Sequence, residues 1–255
     1  MLCLWPPVTL ADLQTSQRLE AGWRNAVDLD GEVVTLPGAD RSFVAIHRPQ
    51  TRDQPNGAIV LLHGRGTNAD SHEVIRPLRI GLSEAGWDTL SLQLPVTFPN
   101  AGPDAWLDNA DQIVAGLQSA LDWLKQRDQR NQAVLAVGDS GLIALRHAAA
   151  AAPRDLQAVV LISSPADFAG EGDGEMLGRL KLRILDIYAE RDRQAVTRAA
   201  SARKRAARKA GITRFDQRTV PGAVPGYRAQ EAQLLAAVRA WLNANAGGKE
   251  RIGKD

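Results

Sequence analysis

VLAVGDSGL, residues 134–142, is the stretch on which the reading of this chain turns. Val134-Leu135-Ala136-Val137 is a short apolar run, Gly138 breaks it, and a helix-forming run follows in LIALRHAAAAA, residues 142–152. A strand that passes into a helix with almost no loop must turn sharply, and glycine supplies the backbone freedom for that turn. The reading places Ser140 at the corner with Gly138 close behind it. Whether Ser140 is a nucleophile depends on which other parts the chain supplies.

The chain has 255 residues, enough for one large α/β domain or two small ones with a substantial core. Hydrophobic residues at 44% and charged residues at 24% are ordinary for a globular protein, and a net charge of +2 singles out no class of partner. Cys3 has no second cysteine to pair with, so an internal disulfide is excluded and the cysteine count does not decide the compartment. MLCLWPPVTL is apolar but short, and Pro6-Pro7 interrupt it. No signal peptide is recognised, which makes the cytoplasm the default expectation and the periplasm the alternative if the N-terminus is truncated. No stretch approaches the roughly 18 uninterrupted apolar residues of a membrane span.

Outward from the corner, apolar runs and helical patterns alternate. GEVVTL (31–36) and SFVAIH (42–47) read as an opening antiparallel pair. GAIVLLHG (57–64), DTLSLQLP (88–95), QAVLAVG (132–138), LQAVVLIS (156–163), LRILDIYAE (182–190) and TRFDQRTV (213–220) read as further strands. Helices are expected over 72–86, 108–126, 142–152, 195–211 and 229–244. The 108–126 helix carries Ile113, Leu117, Leu121 and Leu124 on one face. Residues 1–30 form a helical segment, 31–244 the main domain, and 245–255 a polar tail. This alternation predicts a mostly parallel sheet of about eight strands covered by helices on both faces, with any site at the carboxyl ends of the strands. Three ends stand out: His63-Gly64-Arg65-Gly66, Gly138-Asp139-Ser140-Gly141 and Ala189-Glu190-Arg191-Asp192.

Those three strand ends, in that order, resemble the α/β-hydrolase superfamily over about residues 31–244. Within it the stretch around LLHGRGTNADSHEVIRPLR and LSEAGWDTLSLQLP is most similar to a bacterial hydrolase-like family of unassigned function. The resemblance implies a three-layer α/β-hydrolase-like sandwich. HGRG would be the oxyanion loop, GDSGL the nucleophile elbow, and ERDRQAV the acid loop. It implies Ser140 as nucleophile and Asp192 as the acid that orients a histidine. Backbone N–H groups of Gly141 and of the Gly64-Arg65-Gly66 loop would bind the oxyanion, or a ligand. Two departures stand against this. The G-x-S-x-G pattern of the elbow has Leu142 at its last position, so the turn is looser or shifted in register, and one shifted reading puts Asp139 at the corner. In the phrase VPGAVPGY (220–227), Pro225 occupies the place of the triad histidine and cannot accept a proton.

Four histidines remain, His47, His63, His72 and His147. His63 is the best placed to substitute as base, although its other reading is to order the oxyanion loop. Asp192 is expected near the loop 221–227 without an imidazole, paired with Arg191, Arg193, Arg228, a backbone N–H or water. SARKRAARKAG (201–211) is rich in basic residues, but Ala195, Ala199, Ala202, Ala206 and Ala210 form a helical stripe expected to pack on the sheet beneath a basic outer face, and without interleaved aromatics a nucleic-acid function is rejected. The insert PADFAGEGDGEM (165–176) carries Asp167, Glu171, Asp173 and Glu175 but reads as a small lid rather than a metal loop. Trp106 reads as a pocket wall or as a packed aromatic. No cofactor and no metal is expected. Two functions follow. One is a non-catalytic or very weak member of the fold, binding a small ester-like ligand or a partner at the strand-end cleft. The other is a carboxylesterase-type serine hydrolase using Ser140, Asp192 and a displaced base such as His63. The oligomeric state is not legible.

Overall fold

The structure, a computed structural model, describes residues 10–38, 42–96, 103–167 and 173–248. Its elements in chain order are α1 (Leu10–Asn25), β1 (Glu32–Leu36), β2 (Phe43–Arg48), β3 (Gly57–Leu62), α2 (Ile75–Glu84), β4 (Trp87–Leu92), α3 (Pro103–Leu107), α4 (Ala110–Lys125), β5 (Gln132–Val137), α5 (Ser140–Ala151), β6 (Leu156–Ile162), α6 (Asp173–Arg179), β7 (Arg183–Ala189), α7 (Gln194–Lys209), β8 (Phe215–Val220) and α8 (Glu231–Asn245). The eight strands form one sheet in the order β1-β2-β4-β3-β5-β6-β7-β8. β1–β2 and β2–β4 pair antiparallel, and every later pair is parallel.

The apolar runs are continuous because the central strands are covered on both sides. In β3, Ala58, Val60 and Leu62 enter one core, which α4, α5 and α6 complete. Ile59 and Leu61 enter the other, closed by α2 and α8. The period-two alternation of a strand thus feeds two cores from one sequence run. On α4, the predicted Ile113, Leu117, Leu121 and Leu124 are all buried against the first core. α5 ends where Ala152 takes a left-handed conformation, φ 41°, just before Pro153.

Three expectations change. The short helix α3 was not foreseen, and its Trp106 is fully buried in the first core. Within the insert, Asp173–Arg179 is helical, and Met176 and Leu177 join that core, so this part packs rather than covering a cleft; Glu171 lies outside the described residues. On α7 the buried stripe is Val196, Ala199, Ala200, Arg203 and Ala207; of the expected alanines Ala199 lies in it and Ala206 and Ala210 pack half-buried on the first core, but a cation of the presumed outer face points inward. Arg203 is accommodated because Asp186 of β7, also fully buried, receives its Nε at 3.0 Å and Nη2 at 2.8 Å. Its Nη1 donates to the carbonyls of Ser164 and Ala166 at 2.6 and 2.7 Å.

Candidate functional site

β3, β5, β6 and β7 all end at the same edge of the sheet, so the loops after Leu62, Val137, Ile162 and Ala189 meet there. At the end of β5 the chain turns at Gly138, whose φ is +62°, the left-handed region. Asp139 already has helical angles, φ −66° and ψ −23°, and α5 begins at Ser140. The corner is therefore Gly138, not Ser140 and not Asp139. Ser140 stands in the first turn of α5, fully buried, and its hydroxyl donates to the backbone carbonyl of His63 at 2.7 Å.

This register removes the Leu142 anomaly. The small-x-corner-x-small pattern reads Ala136-Val137-Gly138-Asp139-Ser140, with Ala136 and Ser140 both wholly buried against neighbouring strands. A Cβ on Gly138 would meet only the Gly64 Cα, at 3.9 Å, so the corner faces open space. At Gly141 a Cβ would lie 3.1 Å from both Leu161 Cδ2 and Ser164 Oγ, so a side chain there would press on both.

The His63-Gly64-Arg65-Gly66 loop lies alongside. The His63 ring is wholly buried, with Nδ1 2.8 Å from the Gly64 carbonyl and Nε2 3.0 Å from the Leu94 N–H. Nδ1–H donating to Gly64 leaves Nε2 as the acceptor for Leu94, a neutral tautomer held at both nitrogens. Burial lowers its pKa to about 4, against the partial opposition of those two backbone bonds. Thr67 Oγ1 donates to the same Gly64 carbonyl at 2.8 Å, and Gly66 turns with φ +73°. Arg65 Nε meets the Asp139 carboxylate at 3.2 Å, bridging the loop after β3 and the corner. Behind it, Arg79, fully buried, donates to Ala69 O at 2.9 Å and pairs with Asp70, tying the segment after HGRG to α2.

Asp192 follows β7. Its Oδ2 accepts the Ser163 hydroxyl at 2.5 Å and the Ala189 N–H at 3.2 Å, and its Oδ1 accepts the Arg193 N–H at 2.8 Å. Tyr227, on the loop that contains Pro225, sends its hydroxyl to within 2.8 Å of Ser163 Oγ. With Ser163 donating to Asp192, the Tyr227 hydroxyl donates to Ser163. Burial, the leading cause, pushes the Tyr227 phenol well above its ordinary value, so it stays protonated. Ser163 and Tyr227 both have left-handed backbones, φ 49° and 58°.

The other histidines lie elsewhere: His47 on β2 beside Glu32 and the edge of Trp123, His72 beside Arg76, and His147 on α5, buried, with a pKa lowered by burial. Sequence reasoning missed Ser163 and Tyr227, which only the fold brings together, and misassigned the corner. The Ala136, Gly138, Ser140 spacing was a usable signal for the last.

A family model described as a protein of unknown function, DUF3530, matches residues 6–105 and 97–244, nearly the whole chain. The chain belongs to the DUF3530 family. No curated protein matches this DUF3530 member. Its fold is that of the α/β hydrolases. It is similar to a dienelactone hydrolase from Anabaena variabilis (18% identity, TM-score 0.67, covering 84% of this chain and 97% of that one). Est1E from Butyrivibrio proteoclasticus is similar at 14% identity and TM-score 0.63, covering 83% and 98%. XC6422 from Xanthomonas campestris, an α/β serine hydrolase without a lid, is similar at 17% identity and TM-score 0.63, covering 85% and 95%. Among the described residues no helix is long and apolar enough to cross a membrane.

Proposed function

We propose that this DUF3530 chain is a non-hydrolytic member of the α/β-hydrolase fold that binds a small ester-like ligand or a partner at the carboxyl ends of β3, β5 and β7. The observation that carries the reading is the corner itself: the residue with the left-handed turn is Gly138, which has no side chain to attack with. Ser140 is two residues on and fully buried, and its hydroxyl is committed to the His63 carbonyl. A serine must lose its proton to a base to become a strong nucleophile. The two ring nitrogens of His63 are held by backbone groups, and the loop after β8 presents Pro225 and a protonated Tyr227. Asp192, which would orient an imidazole, instead holds Ser163. In this reading Ser140 packs the elbow, His63 orders the HGRG loop, and Gly64, Arg65 and Gly66 shape the floor of the cleft; Gly141, expected as an oxyanion donor, instead gives its N–H to the Gly138 carbonyl and packs against Leu161 and Ser164. The ligand class is suggested by the esterases and dienelactone hydrolases that share the fold.

The test is labelling with a fluorophosphonate probe together with turnover of p-nitrophenyl esters. The parent chain and Ser140→Ala should both stay unlabelled and turn over ester at the same rate as each other. Gly138→Ser with Pro225→His supplies the missing groups, and serine labelling in that variant alone supports a vacated triad. Stoichiometric labelling of Ser140 in the parent chain would overturn the reading in favour of a serine hydrolase with Asp192 as acid and a displaced base.

A further inference from the structure

Away from the strand-end cleft the molecule carries a marked concentration of positive charge. Residues 179–188 and 194–218, which leave out the loop after β7 at the cleft, hold 11 basic and 2 acidic residues, a net +9, while the whole chain nets +2; the rest of the chain therefore nets −7. α7 contributes most of it and contains no acidic residue. With Arg203 turned inward, Arg198, Lys204, Arg205, Arg208 and Lys209 remain exposed. At 100° per residue they span an arc of about 140° on one side of the helix.

The patch continues beyond the helix. A cleft of about 310 Å³ is lined by Lys204, Arg208, Ile212 and Asp216, and a second of about 380 Å³ by Ile212, Lys181 and Arg214. They share Ile212 and lie at the amino ends of β7 and β8, opposite the elbow. Arg214 donates to the Lys181 carbonyl at 2.9 Å, which holds the two strand ends together. Asp216, the one acid lining these clefts, accepts the Trp241 indole N–H at 2.6 Å. Lys181, Arg214 and the five exposed cations of α7 form no ion pair among the described residues. Some other exposed cations do: Arg24 pairs with Glu20 and Arg179 with Glu175.

Unpaired like charges repel one another and lower stability unless an anion meets them. Three kinds of partner can be compared with the geometry of this face. A second copy meeting this face symmetrically would set positive on positive. A single nucleic-acid strand follows a line and is held by stacked aromatics, whereas these cations spread in two dimensions over a helix and two strand ends, and Phe215, the aromatic between them, is half-buried. A planar array of anionic headgroups matches a two-dimensional field of Lys and Arg. Among the described residues the exposed large apolar side chains, Val27, Leu107 and Val224, lie outside the patch, so none of them offers insertion there.

We infer that the α7 face and the adjoining amino ends of β7 and β8 are a peripheral docking surface for an anionic phospholipid bilayer, bound by charge without insertion. The surface is independent of the strand-end cleft and of any reading of it. Co-sedimentation of the full chain tests it, with vesicles of phosphatidylcholine alone and of phosphatidylcholine mixed with phosphatidylglycerol, at low and high salt. Binding is expected to the mixed vesicles alone, and to be released by salt. Lys204→Glu with Arg208→Glu should weaken it more than tenfold, since each cation near an anionic surface contributes roughly a fivefold factor. Arg18→Glu with Arg239→Glu, exposed cations on α1 and α8, should leave binding unchanged. Circular dichroism confirms that both variants are folded. Failure to bind the mixed vesicles at low salt overturns the inference, as does equal loss in the two variants. Retention of duplex DNA by a chain that ignores the vesicles overturns it in favour of a different polyanion.

Discussion

Gly138 and Ser140 differ by two positions and by everything that matters for reactivity. One is a turn with open space before it, the other a packed helical residue whose hydroxyl ends in a backbone carbonyl. A side chain at 138 has room but meets a left-handed backbone, which costs a residue other than glycine about 1–2 kcal/mol. His63 shows the same principle in electrostatic form. Its folded pKa is about 4 against 6.5 for a free imidazole, because burial disfavours the charged ring. A folded pKa below the unfolded one means that stability is complete above pH 6.5 and declines as the pH falls toward 4, since the unfolded chain takes up the proton and the folded chain does not. Urea denaturation should therefore show a loss on the order of 2 kcal/mol between about pH 7 and pH 5 from this group. His147, also lowered by burial, adds to the slope in the same direction. The slope should shrink in His63→Asn, and an unchanged slope would show that His63 is not held neutral.

At the scale of elements, α7 illustrates how a helix with few apolar residues is held. Its buried stripe is mostly alanine, and its anchor is the Arg203–Asp186 pair, in which both partners are fully enclosed. Gln217 of β8 adds an amide N–H to Asp186 at 2.7 Å, so α7, β7 and β8 share one polar joint. Removing one partner of such a pair strands a buried charge and typically costs about 3–5 kcal/mol. Arg203→Met should lower stability by that amount in thermal or denaturant melts, whereas Arg205→Met, two residues away and exposed, should change it by less than about 0.5 kcal/mol. Comparable losses in both would place the anchor elsewhere. The loop after β8 is held in a different way, by the directed chain from Tyr227 through Ser163 to Asp192. This uses the Asp192 carboxylate for architecture.

For the whole molecule, one sheet serves two cores. Trp106 and Trp123 sit in the core under α4 and α5, Trp87 and Trp241 in that under α2 and α8. Neither core can lose its strands without exposing the other face of the same strands. Tryptophan fluorescence, which reports both sides, and far-ultraviolet circular dichroism should therefore follow a single coincident unfolding transition. Separate midpoints would show that the two layers melt independently. The charge distribution is likewise a property of the whole: a net +2 conceals a +9 region and a −7 remainder, and composition alone could not reveal it.

What the sequence determined by itself was the alternation. Each run such as Gly57–Leu62 or Gln132–Val137 is apolar throughout, and covering both faces of a parallel strand is what such runs require. That Pro225 accepts no proton was equally plain, because its side chain has no ionisable group in any fold. Only the tertiary structure decided which residue is the corner. Glycine and serine are both small, and Gly138 and Ser140 are separated by the packing of α5 against the end of β3, a contact between residues 77 apart in sequence. The same holds for Arg203 and for Ser163 with Tyr227. A cation reads as exposed until a buried carboxylate is found opposite it, and a hydroxyl has no meaning until its partner is in place. Local pattern records what each segment must bury, whereas the identity of the atoms that meet there is settled by the crossing of strands distant in the chain.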